Sequence, residues 1–111
     1  NTRPDGEDIA GIKKVRTANA VKGLTEVAKH AEEAGVTMCL EIVNRFEQYP
    51  VNTAEEGIAV CEAIGSEYCK LLLDTFHMNI EEDYIPDAIR TAHEKGYLGY
   101  LHIGESNRRC V

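Results

Sequence analysis

Residues 71–79 read LLLDTFHMN, and the fold is decided by how that stretch is understood. Three consecutive leucines belong in an interior, yet the run stops at Asp74, and His77 follows three residues on. A carboxylate at the end of an apolar strand is costly unless something pairs with it. With Cys69 and Lys70 in front, CKLLLD predicts a strand over 69–74. Upstream, VTMCLEIV (36–43) is apolar on both faces except at Glu41, which predicts a parallel strand buried on both sides. Downstream, YLGYLHIG (97–104) predicts a third strand.

Helices fill the intervals. Over residues 9–34, Ile9, Ile12, Val15, Val21, Leu24, Ala28 and Ala31 recur mostly at steps of three and four, the pattern of an amphipathic helix that Gly35 ends. Thr53 and Glu56 form a capping box for a second helix, which runs through Ile58, Cys61 and Ile64 to Gly65. A third helix takes its cap from Asp83 or a residue near it and has Pro86 in its first turn. Its stripe is Ile85, Ala88, Ile89 and Ala92, and Gly96 closes it. Helix and strand alternate three times, so the fold class is α/β with a parallel sheet.

The chain has 111 residues, enough for one domain spanning 1–111. Its net charge of −7 disfavours nucleic acid and anionic membranes, which need a basic face. No apolar run approaches the roughly 20 residues that span a bilayer. Of the four cysteines, none forms a Cys-x-x-Cys pair. Cys39 and Cys69 read as buried thiols, and a reduced cytoplasmic protein is expected. The chain begins at Asn1 and stops just after a polar loop opens, so a piece of a longer protein is expected.

Each strand ends in an ionisable residue: Glu41, Asp74 and His102. In a parallel sheet the C-terminal strand ends share one edge, and side chains alternate faces with period two. If the three point to the same face, they meet. Two carboxylates and one imidazole make a site for a hard-to-borderline divalent cation such as Mn²⁺, Co²⁺ or Mg²⁺. Such a cation would offset the charge of Asp74. The acidic run Glu81, Glu82 and Asp83 is expected to favour the following helix N-terminus. His30 and His93 read as surface residues, and Phe46 and Phe76 read chiefly as core.

LEIVNRFE (40–47), LDTFHMNIEED (73–83) and HIGESNRR (102–109) resemble motifs of the D-tagatose/D-allulose (psicose) 3-epimerases. These are ketose 3-epimerases with a xylose-isomerase-like TIM barrel. The similarity runs from about Val36 to Arg109 and departs at Ile103 and Ser106. The resemblance implies that the chain is the central-to-C-terminal part of a (β/α)₈ barrel, about three strands that cannot close alone. A whole barrel takes about 250 residues. It further implies that Glu41, Asp74 and His102 are metal ligands, with Mn²⁺ the expected ion, and that Glu41 is also a catalytic glutamate. Glu47, His77 and Arg108 would bind the sugar hydroxyls. The fourth ligand, also the second catalytic glutamate, would lie beyond Val111. The implied reaction inverts C3 of a free ketohexose such as D-tagatose, D-fructose or D-allulose, by proton abstraction through a metal-bound enediolate. The small ketose is the expected partner, and a homo-oligomer is expected. One alternative is a sugar isomerase of the same superfamily. The other is that these 111 residues alone form a non-catalytic, self-associating module with open sheet edges.

Overall fold

The computed structural model describes residues 9–111. Seven elements follow in order: α1 (Ile9–Ala34), β1 (Met38–Glu41), α2 (Ala54–Ile64), β2 (Cys69–Asp74), α3 (Thr75–Glu81), α4 (Ile85–Glu94) and β3 (Leu98–His102). The strands form one parallel sheet in the order β1-β2-β3. This is the expected α/β arrangement, three strands in an open sheet rather than a closed barrel.

The helix termini show why the chain turns where it does. The Thr53 hydroxyl accepts the Glu56 N–H at 3.2 Å, and the Glu56 carboxylate returns to the Thr53 N–H, completing the predicted capping box of α2. Gly35, Gly65 and Gly96 take positive φ of 68°, 70° and 79° just after α1, α2 and α4, where a Cβ would be strained.

The core lies on one face of the sheet. Leu71, Leu73 and Cys69 project from β2 onto Ile58 and Cys61 of α2, with Ile42, Met78 and Ala92 closing around them. Burying each such aliphatic side chain contributes ~1.5–3 kcal/mol. Helix α2 sits very close to the sheet at Gly57. A Cβ there would meet Ile42 Cδ1 at 2.7 Å and Leu71 Cδ2 at 2.9 Å.

Several expectations need correction. Strand β1 is only four residues long, and it is not buried on both sides. Its second face, with Cys39 and Glu41, is open, because no described helix or strand covers it. Cys39 is therefore exposed rather than buried, whereas Cys69 is fully buried as expected. Strand β3 is likewise shorter than the 97–104 run. The alternation is broken by α3, which follows β2 without a loop and was not expected. Helix α4 has Tyr84, next to Asp83, at its N-cap, and no side chain bonds there. Phe46 is 79% exposed, so it is no core residue. His30 and His93 are exposed, as predicted.

Candidate metal and sugar site

Parallel pairing sets the site's frame. Asp74 stands opposite His102 across β2 and β3, and Glu41 stands opposite Leu72, two residues before Asp74 on the same face. That common face depends on an irregularity. Leu71 pairs with Leu98 but Leu72 pairs with Tyr100, so one extra residue in β3, Gly99, restores the phase. A side chain at Gly99 would strike Lys70 Cβ at 2.6 Å and Cys39 Sγ at 2.7 Å. Only a glycine there lets the strands keep this spacing.

Glu41, Asp74 and His102 are thereby brought together. One donor atom from each lies within 4.8 Å of the other two. His102 Nδ1 and Asp74 Oδ2 are 3.7 Å apart, too far for a hydrogen bond but suited to two ligands of one ion. The His102 and Tyr100 rings stand edge to face, 5.5 Å between centroids. Thr75 braces the two strand ends. Its hydroxyl donates to the Gly104 carbonyl at 2.8 Å and accepts the Gly104 N–H at 2.9 Å.

Asp74 has a second role. Its Oδ1 accepts the Phe76 N–H at 2.8 Å, making Asp74 the N-cap of α3. One oxygen is thus satisfied locally. Oδ2 remains turned toward His102, and the Asp74 side chain is 18% exposed.

Beside this trio lies a second cluster, built on the loop after β1. Arg108 donates to both oxygens of Glu47, at 2.9 and 3.1 Å. That contact is the leading reason the Glu47 carboxyl is held below its ordinary range. The Arg108 guanidinium also lies 4.5 Å over the Phe76 ring, and Phe76 is the residue bonded to Asp74. Arg108 holds a positive φ of 70° in a tight turn, its N–H bonded to the Glu105 carbonyl. His77 is 2% exposed. Its Nδ1 accepts the Asn44 main-chain N–H at 3.1 Å and lies 2.9 Å from Asn44 Nδ2. Glu47 Oε2 is 3.4 Å from the same nitrogen, but the Asn44 amide already bridges the two acceptors, so this is no simple ion pair. All six predicted site residues therefore fall into two adjoining groups.

Sequence reasoning passed over three supporting residues, Asn44, Arg45 and Thr75, and expected Glu81 at a helix N-terminus rather than on Arg45. Arg45 donates to Glu81 from its main-chain N–H at 2.6 Å and from its side chain at 3.0 and 3.1 Å. Burial pushes the Glu81 carboxyl up, but these bonds outweigh it and hold the group below the ordinary range. The loop is thus riveted to α3. Glu82 also departs from expectation: it accepts the Ala54 N–H at 2.6 Å, serving the N-terminus of α2 and not that of the helix that follows it. The signal for Asn44 was present, an Asn at a strand end with a Glu three residues on, a turn-forming pattern.

The xylose isomerase-like TIM barrel family model matches residues 3–110. The chain is 53% identical over 97 residues to a D-psicose 3-epimerase of Ruminiclostridium cellulolyticum, covering 87% of this chain and 32% of that protein. It is 53% identical over 91 residues to an L-ribulose 3-epimerase of Mesorhizobium japonicum, covering 82% of this chain and 30% of that one. The crystal structure of D-psicose 3-epimerase with D-tagatose from Clostridium cellulolyticum H10 superposes with a TM-score of 0.82 at 53% identity, over 86% of this chain and 32% of that one. The chain spans about a third of the length of these relatives. Its parallel βα units, and the ionisable residues gathered at their C-terminal edge, are those of a barrel wall: the chain belongs to the xylose isomerase-like TIM barrel family.

Proposed function

We propose that the protein carrying this chain is a metal-dependent ketose 3-epimerase, inverting C3 of a free ketohexose such as D-tagatose, D-fructose or D-allulose. One observation carries the reading. Glu41, Asp74 and His102, from three different strands, bring donor atoms within 4.8 Å in a chain about half identical to proteins named ketose 3-epimerases.

The donor set fits a divalent cation. Two carboxylates and an imidazole suit Mn²⁺, with Co²⁺ and Mg²⁺ as alternatives. No side-chain hydrogen bond engages Glu41 among the described residues, and Asp74 keeps Oδ2 free of its capping bond. Once bound by these three residues, the ion supplies Lewis-acid stabilisation of negative charge on the substrate oxygens.

The chain's own groups do the rest. Glu41 is exposed on the open face of the sheet, where its carboxylate takes the proton from C3 next to the ketose carbonyl. A positioned base of this kind contributes about 10²–10⁴ in rate. Inversion needs a second carboxylate on the other side of the sugar, supplied with the fourth ligand from elsewhere in the whole protein. Glu47, Arg108 and His77 present an acceptor, a cation and an imidazole to the neutral hydroxyls, which need both donors and acceptors. The free thiols of Cys61 and Cys69, 3.9 Å apart, suit a reducing cytoplasm.

The test is incubation of the whole protein with D-tagatose or D-fructose and Mn²⁺, followed by chromatography. The C3 epimer is expected. An aldose product without any C3 epimer would replace this reading by the isomerase alternative.

A further inference from the structure

We infer that Asn44 is the positioning residue for Glu47 and His77, and that it fixes the imidazole proton on Nε2. The inference deepens the epimerase reading and rests on it for the sugar-binding role of the pair; the proton's place rests on geometry alone.

Asn44 stands just beyond β1 and is 3% exposed. The Phe46 N–H donates to its Oδ1 at 2.9 Å. A main-chain N–H can only donate, so the atom facing it is the amide oxygen, and the orientation of the side chain is settled. Nδ2 therefore points the other way, donating to Glu47 Oε2 at 2.9 Å and facing His77 Nδ1 at 2.9 Å. The Asn44 main-chain N–H faces the same ring nitrogen at 3.1 Å. Two N–H groups converge on Nδ1 and neither can accept. Nδ1 must offer its lone pair, which leaves the ring proton on Nε2.

The consequence is a fixed pattern. His77 then carries its N–H donor at Nε2, the donor that the sugar-binding reading requires of it. Glu47, held by Arg108 on one side and Asn44 on the other, presents an acceptor. One donor and one acceptor, both immobilised, match adjacent oxygens of a neutral polyol. The Arg45–Glu81 clasp at the next residue keeps the Asn44 main chain in place.

The experiment uses the whole protein with ¹⁵N-labelled histidine, the His77 signals being assigned by their loss in His77→Gln. Ring-nitrogen spectra should show a protonated Nε2 and an unprotonated Nδ1. Asn44→Asp keeps the shape of the side chain but turns an acceptor toward Glu47 and Nδ1. Its KM for the ketose should rise about tenfold with a much smaller change in kcat, and its Nδ1 signal should move. Asn44→Ser, which also removes the Nδ2 donor, serves the same purpose should Asn44→Asp fail to fold, and the wild-type spectrum decides independently of both. A wild-type His77 protonated at Nδ1, or a folded Asn44→Asp or Asn44→Ser with unchanged KM, would overturn the inference. The expected spectrum in a protein without epimerase activity would instead support the proton's place and overturn the sugar reading alone.

Discussion

Asp74, a carboxylate at the end of three leucines, divides its two oxygens between two uses. Oδ1 caps α3 and Oδ2 faces His102. Both uses suit an acidic residue at a strand end, and the capping one is marked by the place of Asp74 directly before TFHMNIE. The place of Glu41 was legible as the one charge in an apolar run, and its carboxylate lies with Asp74 and His102. Since it is exposed, Glu41→Gln should leave the thermal midpoint of the whole protein nearly unchanged while cutting epimerase turnover about 10²–10⁴-fold. A folded variant with full activity would remove Glu41 from the chemistry. Glu82 supplies a pH test. Burial, ahead of any other cause, raises its carboxyl, and Asp83, Glu81 and Glu55 add to the effect. The folded chain then keeps a proton that the unfolded chain has already lost, so stability falls as pH rises from the ordinary carboxylate range through the raised value. Glu82→Gln keeps an oxygen for the Ala54 N–H and removes that penalty. Thermal unfolding should show a gain at pH 7 that vanishes toward pH 4. A gain of equal size at both values would contradict the account.

At the scale of elements, α1, α2 and α4 were legible because period and glycine stop agreed, and in α2 the capping box agreed as well. Helix α3 was not, because seven residues are too few to show a helical period and it leaves β2 without a turn. Strand β2 was placed to the residue, whereas β1 and β3 were placed correctly but drawn too long. Hydrophobicity marks what a strand would bury in a complete fold, whereas Cys39 and Tyr100 lie on a face that nothing described here covers. The β3 irregularity at Gly99 had no sequence signal beyond the glycine itself, yet Asp74 and His102 share a face because of it. Close approach of α2 to the sheet is the element-level claim most open to measurement. Gly57→Ala forces Ile42 and Leu71 aside and should destabilise by about 1–3 kcal/mol in denaturant titration. An unchanged midpoint would mean that α2 does not seat so closely.

For the molecule as a whole, the parallel α/β layer followed from the alternation of elements, while the family and its chemistry came from three short motifs. The described residues leave the outer edges of β1 and β3 unpaired, and one sheet face open. Such edges template pairing with other chains. These 111 residues, prepared alone, should therefore sediment as a concentration-dependent oligomer. A compact monomer at all concentrations would show that the edges are protected. Within the whole protein the same edges and face are where the remaining barrel, the fourth ligand and the second carboxylate would join.

Convergence of Glu41, Asp74 and His102 on one divalent cation is what every functional statement depends on. Anomalous scattering from crystals of the whole protein grown with Mn²⁺ addresses it directly. The account predicts a manganese peak about 2.0–2.3 Å from one donor atom of each of the three residues. A peak bonded to other groups, or no ordered manganese while these three side chains stand apart, would contradict it.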